Sequence, residues 1–440
     1  MTYQPAFAPP VRSAYGAPEP TWYQPGYSYQ PPVARDAYSA YPASFYQSYQ
    51  QGVEYYHGQS SIAEHVLRLS PKDLNDFASD HLSSMHLQEF LRKSGRSAGG
   101  EAASVVQKLA PHTVNLAADP IGNYVTQAVL EISDDTLFSI CTSGLLSAIY
   151  ELSVHPHGTR VIQKVISETY LRRAQPALLD RLINALEPLV ARLAIDTNGC
   201  YVVMRALECI PGGWLFKALL GNSAPEIACE RWGVVTIKRV IDTITGEESA
   251  PDRCENDPTN VTASSAVPSC LPSDSFRSSQ GYPEFVPLLL DSFTLNMESL
   301  CRDAFGNYAM QHLLQSRVMK SNQGRDALYR MAETVDGKFL ALATHKYSSN
   351  LMELLVQTAG DKLIGSVCKD VDVLRDLVID KYGHYVLLKC LNTASGNVRD
   401  EVLNVLAPVI GDLMKSKDER DVKMAKKLLQ RHPMLKRRRT

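Results

Sequence analysis

Eight stretches of this 440-residue chain repeat one arrangement of chemically useful side chains. The clearest are Asp119-Pro120-Ile121-Gly122-Asn123-Tyr124-Val125-Thr126-Gln127 and Asp303-Ala304-Phe305-Gly306-Asn307-Tyr308-Ala309-Met310-Gln311. On a helix, the Asn and the Gln four residues later share one face, and the Tyr stands beside them. Each amide offers a donor and an acceptor, and the ring offers a flat apolar surface. Such a trio holds a planar ligand by edge hydrogen bonds and stacking. It makes and breaks no covalent bond.

The other copies vary the trio. They place Ser84, Met85 and Gln88; Thr159, Arg160 and Gln163; Cys200, Tyr201 and Met204; and Val234, Val235 and Lys238. The last two place Ser349, Asn350 and Glu353, then His384, Tyr385 and Leu388. Steps between first members are 39, 36, 41, 34, 73, 42 and 35 residues, counted along the sequence. A period near this length marks a solenoid of stacked helical repeats. The double step holds a Ser/Pro/Thr/Asp-rich stretch at 245–283, read as a flexible insertion rather than a ninth repeat.

The elements that position the trios follow from periodicity. With Asn123 at zero on a wheel of about 100° per residue, Tyr124 and Gln127 fall on its face. Val125 and Val129 point away, into the core. The trios are therefore expected to line one exposed surface. Most copies have Asp, Asn or His before the Gly position, suited to closing a helix start. Apolar stretches such as Leu178 to Leu193 and Phe285 to Leu290 supply the remaining helices.

Composition bounds the rest. Formal net charge is −2, so bulk positive charge is not the means of binding. Residues 413–440 hold 11 Lys/Arg against three Asp/Glu, leaving the remainder acidic. A capping helix is expected there, with Met424, Leu428 and Leu429 inward, before a basic end at 431–440. Residues 1–57 hold 11 of the 21 tyrosines among Pro, Gln, Ser and Ala, and are expected to be a disordered tail. The start lacks the pattern of a secretory signal, and no apolar run is long enough to cross a membrane. Nine cysteines without a C-x-x-C give no disulfide framework or zinc site, and reduced thiols are expected. No G-x-x-x-x-G-K-[ST] or H-E-x-x-H occurs, so neither an enzyme nor a cofactor is expected.

On these repeats and trios, residues 60–430 resemble the Pumilio/FBF (PUF) domain. The resemblance implies an all-α, right-handed crescent of eight repeats whose inner helices bind single-stranded RNA, one base read by two or three side chains. It implies antiparallel RNA, UGU-containing targets in mRNA 3′ untranslated regions, and control of translation or decay. Asn123 with Gln127, and Asn307 with Gln311, match the edge of uracil. Ser349 with Glu353 suits the two N–H donors of guanine. Thr159 with Gln163 suits adenine, with Arg160 stacking. Ser84 and Gln88 read weakly. Tyr124, Tyr201, Tyr308 and Tyr385 stack, Asn350 holds the corresponding place, Cys200 lacks an amide, Lys238 meets phosphate and His384 donates one bond. The expected element is 5′-(U)-G-U-N-N-A-U-(A)-3′.

Two rivals share the repeat pattern. One is a nucleolar relative that binds structured ribosomal RNA by shape and charge. The other is a protein-binding scaffold. Lys164, Arg205, Lys238 and Lys389 adjoin or belong to the trios and are candidates for phosphate contact. A monomeric, cytoplasmic protein is expected, with a nuclear or nucleolar fraction through the basic end. A deadenylase or translational repressor is the expected protein partner.

Overall fold

The computed structural model describes residues 61–95, 100–172, 176–247, 281–432 and Leu435. The tail at 1–57, residues 248–280 of the expected insertion and the basic run 436–439 lie outside the described residues. Every regular element among those described is helical.

The eight trio-bearing segments are helices. They are α1 (His81–Ser94), α2 (Gly122–Ile132), α3 (Gly158–Leu171), α4 (Gly199–Cys209), α5 (Arg231–Thr245), α6 (Gly306–Gln315), α7 (Ser348–Ala359) and α8 (Gly383–Thr393). Each packs on the next in one unbroken file. Two helices close the array after α8: α9 (Gly396–Leu413) and α10 (Glu419–Arg431). A second layer of helices lies behind the file, as where Val286–Leu295 packs between Gly213–Leu220 and Asn322–Val335. Short helices such as Thr113–Ala118 and Val190–Ile195 join the layers. Pro111 and Pro188 stand at the breaks between outer and short helices, where a residue without an N–H interrupts the ladder. The solenoid expected from the period is thus present.

One hydrophobic cluster runs from Ala63 to Leu435. Val125 and Val129 are fully buried in it, as the wheel requires. Helices α5 and α6 pack directly, and among the described residues no ninth helix stands between them in the file. The chain leaves and returns at one point there, because Tyr282 N donates to Ile244 O at 2.8 Å.

The repeated glycine has a packing cause. A Cβ on Gly158 would lie 2.6 Å from Leu152 O, the carbonyl of the short helix beneath. Helix α7 has Ser348 there instead, and its Oγ donates to the matching carbonyl, Leu342 O, at 2.6 Å. The departure from glycine turns a close approach into a hydrogen bond.

At the C-terminal cap the expectation needs one correction. Ala425, Leu428 and Leu429 of α10 are buried, but Met424 is half-buried and lines an open groove.

Candidate nucleic-acid interface

Seven of the eight trios stand on a turn that their own acidic or imidazole side chain closes. Asp119 Oδ1 accepts from the N–H groups of Ile121 and Gly122 at 2.8 and 2.6 Å. Asp196, Asp303 and Asp380 do the same at 2.7–2.8 Å. His155 Nδ1 and His345 Nδ1 accept at 3.2–3.5 Å in the corresponding places. Asp80 accepts from Ser83 N at 2.9 Å. Glu230, one methylene longer, makes no such side-chain bond. These groups satisfy N–H donors that a helix start leaves unpaired.

On α2 and α6 the turn also sets the first amide. Asn123 Nδ2 donates to Asp119 O and Pro120 O, both at 2.9 Å. Asn307 Nδ2 donates to Asp303 O and Ala304 O at 2.9 and 3.0 Å. Those carbonyls fix which end of each amide is which. The remaining oxygen accepts from the partner amide: Gln127 Nε2 to Asn123 Oδ1 at 3.1 Å, and Gln311 Nε2 to Asn307 Oδ1 at 2.7 Å. The two couples are the same device in two places.

This revises the expected surface. The first member of every trio is buried, from 0% exposed at Val234 to 7% at His384. Ser84, Asn123, Thr159, Cys200, Asn307 and Ser349 share that place, and Gln163 is also buried. The cause is the close stacking of successive helices and turns. Thr159 Oγ1, for instance, donates to Asn198 O of the next turn at 3.0 Å while accepting from Gln163 Nε2 at 3.1 Å. The stackers do face outward: Tyr124, Tyr201 and Tyr308 are half-buried, while Arg160, Asn350 and Tyr385 are exposed. The Arg160 guanidinium lies 5.8 Å from the Tyr201 ring centroid, so neighbouring stackers stand side by side.

The other trios are held differently. Ser84 Oγ donates to His81 O at 3.0 Å, and Gln88 Oε1 accepts from Arg92 at 3.4 Å. Burial pushes the Cys200 thiol up to about 12, so it is a neutral packing group and not a thiolate nucleophile. Burial also raises Glu353 above the usual carboxylate range, with Lys389 partly opposing the shift. His384 is not a free donor as expected. Its Nδ1 lies 3.1 Å from Asp380 O and its Nε2 lies 3.1 Å from Lys427 Nζ. Burial lowers its pKa, so the ring is neutral, donating from Nδ1 and accepting at Nε2.

A second line of contacts was missed in the sequence. The residue after the third trio member reaches back to the residue four past the third member of the preceding helix. Lys164 Nζ lies 3.6 Å from Glu131, Arg239 lies 3.5 Å from Glu208, and His312 Nε2 lies 2.6 Å from Asp242. Lys389 Nζ donates to Gln357 Oε1 at 3.1 Å. Arg205 is buried and bonds Glu208 at 3.1 Å. Lys164, Arg205 and Lys389 are therefore engaged within the array rather than free for phosphate. Lys238 has no such partner among the described residues. The repeating offset was the available signal, but it appears only when adjacent repeats are aligned on their third members.

Comparisons with known proteins agree with this geometry. The Pumilio-family RNA binding repeat matches residues 112–141, 148–169, 190–213, 296–316, 338–364 and 375–407. These segments hold α2, α4, α6, α7 and α8 whole and overlap α3; α1 and α5 lie outside them. A Pumilio domain-containing protein of Schizosaccharomyces pombe is 25% identical over 386 residues, covering 86% of this chain and 49% of that protein. Pumilio homolog 12 of Arabidopsis thaliana is 24% identical over 327 residues, covering 72% of this chain and 46% of its own length. The chain thus spans about half the length of these curated relatives. Among solved structures, the RNA-binding domain of yeast Puf5p bound to SMX2 RNA superposes with a TM-score of 0.60 at 16% identity, over 83% of this chain and 98% of that one. The Puf4 RNA-binding domain bound to the HO endonuclease 3′ UTR recognition sequence gives 0.57 at 22% identity, over 79% and 97%. The solved structures share the fold, and the repeat match supplies the lineage: this chain belongs to the Pumilio (PUF) repeat family.

Proposed function

We propose that the chain binds single-stranded RNA sequence-dependently along the trio-bearing face of α1–α8. The observation that carries this reading is the Asn–Gln couple built identically on α2 and α6. Both Nδ2 hydrogens of each Asn are committed to the turn, so Asn offers only Oδ1 to a ligand. Uracil N3–H can donate to that oxygen while Gln Nε2 donates to a uracil carbonyl. Tyr124 and Tyr308 stack on the base faces, each worth about 1–3 kcal/mol. The RNA-bound Puf4 and Puf5p structures support the same use of this fold.

On this reading the RNA runs antiparallel to the chain. Glu353 and Ser349 take guanine, Asn307 and Gln311 take uracil, Gln163 takes adenine and Asn123 and Gln127 take uracil. The element is 5′-(U)-G-U-N-N-A-U-(A)-3′, placed in mRNA 3′ untranslated regions, where a cytoplasmic protein recruiting a repressor or deadenylase lowers expression. Ligand selection from a random RNA pool tests the order. It should return G-U followed by a spaced A-U. In the same assay, Ser349→Asn with Asn350→Tyr and Glu353→Gln should convert the second base from G to U. An unchanged G would break the assignment of α7. Steep salt dependence with tolerance of a mutated G-U would favour binding of structured RNA by shape and charge.

A further inference from the structure

The eighth trio has no usable readers in their ordinary places. His384 is closed between Asp380 O and Lys427 Nζ, each at 3.1 Å, and Leu388 is apolar and buried. Yet Tyr385, at 42% exposure, keeps a stacking platform open. A cavity of about 310 Å³ lies against that ring. Its walls include Glu353, Leu388, Lys389, Asn392 and Arg431.

Two of these side chains are equipped to read a base. Asn392 lies one turn beyond Leu388 on α8, and Arg431 ends α10. Both are exposed, and neither makes a hydrogen bond or ion pair among the described residues. The cavity thus joins a stacking ring, an apolar floor, a free amide and a free guanidinium.

We propose that α8 and α10 together form a subsite for a carbonyl-bearing base (uracil, cytosine or guanine) at the first position of the element, stacked on Tyr385 and read by Asn392 and Arg431. The reading moves one turn along α8 and recruits the closing helix. The chemistry disfavours adenine. Uracil, cytosine and guanine each present a carbonyl acceptor for the guanidinium beside a ring donor or acceptor that an amide can pair. Adenine has no carbonyl and offers an amino donor in its place. An open groove of about 1170 Å³ that also borders Tyr385, lined by Lys381, Lys417, Arg420, Lys423 and Lys427 with Glu419 among them, provides net positive charge for the phosphate.

This inference rests on the RNA-binding reading above, and the experiment separates the two. The full chain is titrated with labelled 5′-UGUAUAUA-3′ and with versions carrying C, A, G or an abasic site at the first position. Wild type should bind the U, C and G forms about tenfold tighter than the A form, and the A form tighter than the abasic form, because every base stacks on Tyr385 but only a carbonyl-bearing base is also read. Asn392→Ala with Arg431→Ala should bring U, C and G down to the A level and leave the A and abasic RNAs bound as before. That unchanged affinity also reports an intact fold. The inference is overturned if the double variant keeps the wild-type preference at the first base, or if wild type has none, while replacing the second-base G still abolishes binding. If no G-U RNA binds at all, the parent reading falls with it.

Discussion

Helices α5 and α6 are neighbours with the same fold and opposite chemistry. Both bury the apolar pair, both stand on a short helix, and His312 of α6 meets Asp242 of α5 at 2.6 Å. Helix α6 carries Asn307, Tyr308 and Gln311 over a turn closed by Asp303. Helix α5 carries Val234, Val235 and Lys238 over Glu230, which closes nothing. Stacking therefore does not require the readers. The glycine, the apolar pair and the cross-helix contacts build the array, while the Asp turn and the polar first member build the reading chemistry. The family repeat matches residues over α6 and none over α5, in line with that division.

The largest test removes the readers where they are intact. Tyr124→Ala, Tyr308→Ala and Gln311→Ala together delete two stacks and one edge contact. The Kd for the proposed element should rise about 100-fold or more, because each stack is worth about 1–3 kcal/mol and about 1.4 kcal/mol is tenfold. Val235→Ala with Lys238→Ala on α5 should change it less than about threefold. Equal effects on the two helices would erase the contrast, and no effect from the triple variant would point to a protein scaffold.

The next test transplants the chemistry. Val234→Asn, Val235→Tyr and Lys238→Gln give α5 the α6 trio, and Val234 N already bonds Glu230 O at 2.8 Å as a helix start should. Selection should show a new preference for uracil at the fourth base of about tenfold. Adding Glu230→Asp should restore the turn and recover stability lost by burying an amide.

This division explains what the sequence could show. The period, the Asp and His turns and the burial of Val125 and Val129 are local patterns, and they were legible. The double role of Asn123 and Asn307 was not, because a helical wheel places the residue on a face but does not show the turn carbonyls that capture its amide hydrogens. Lys427 on His384 spans 43 residues, and the Lys164–Glu131 and Arg239–Glu208 links join different repeats. Such contacts depend on the stacking register, which composition and spacing within one repeat leave open. Lys389 looked free for that reason, whereas Arg205 with Glu208 and Lys164 with Glu168 are pairs within one helix that the spacing already offered.

A smaller effect isolates the turn. Asp303→Ala should cost about 1 kcal/mol of stability in chemical denaturation, the usual worth of a helix-start acceptor. Glu230→Ala should fall within about 0.5 kcal/mol of wild type, as for a surface change without a special contact. Similar costs at both positions would mean that the acid acts through general electrostatics at the helix start rather than through its hydrogen bonds.

The smallest test concerns charge. Lys238 replaces an edge reader on α5 and has no partner among the described residues, whereas Lys164 is held by Glu131 at 3.6 Å and Glu168 at 3.2 Å. If Lys238 neutralises one RNA phosphate, Lys238→Ala should weaken all bound sequences alike, by less than about threefold, and lower the slope of log K against log salt by about 0.7. Lys164→Ala should leave that slope unchanged, because its ammonium already serves carboxylates within the array. A fall in slope for Lys164→Ala would show that RNA draws the lysine away from Glu131 and Glu168. The cross-helix line would then be part of the interface as well as of the scaffold, and the difference between α5 and α6 would lie in base reading alone.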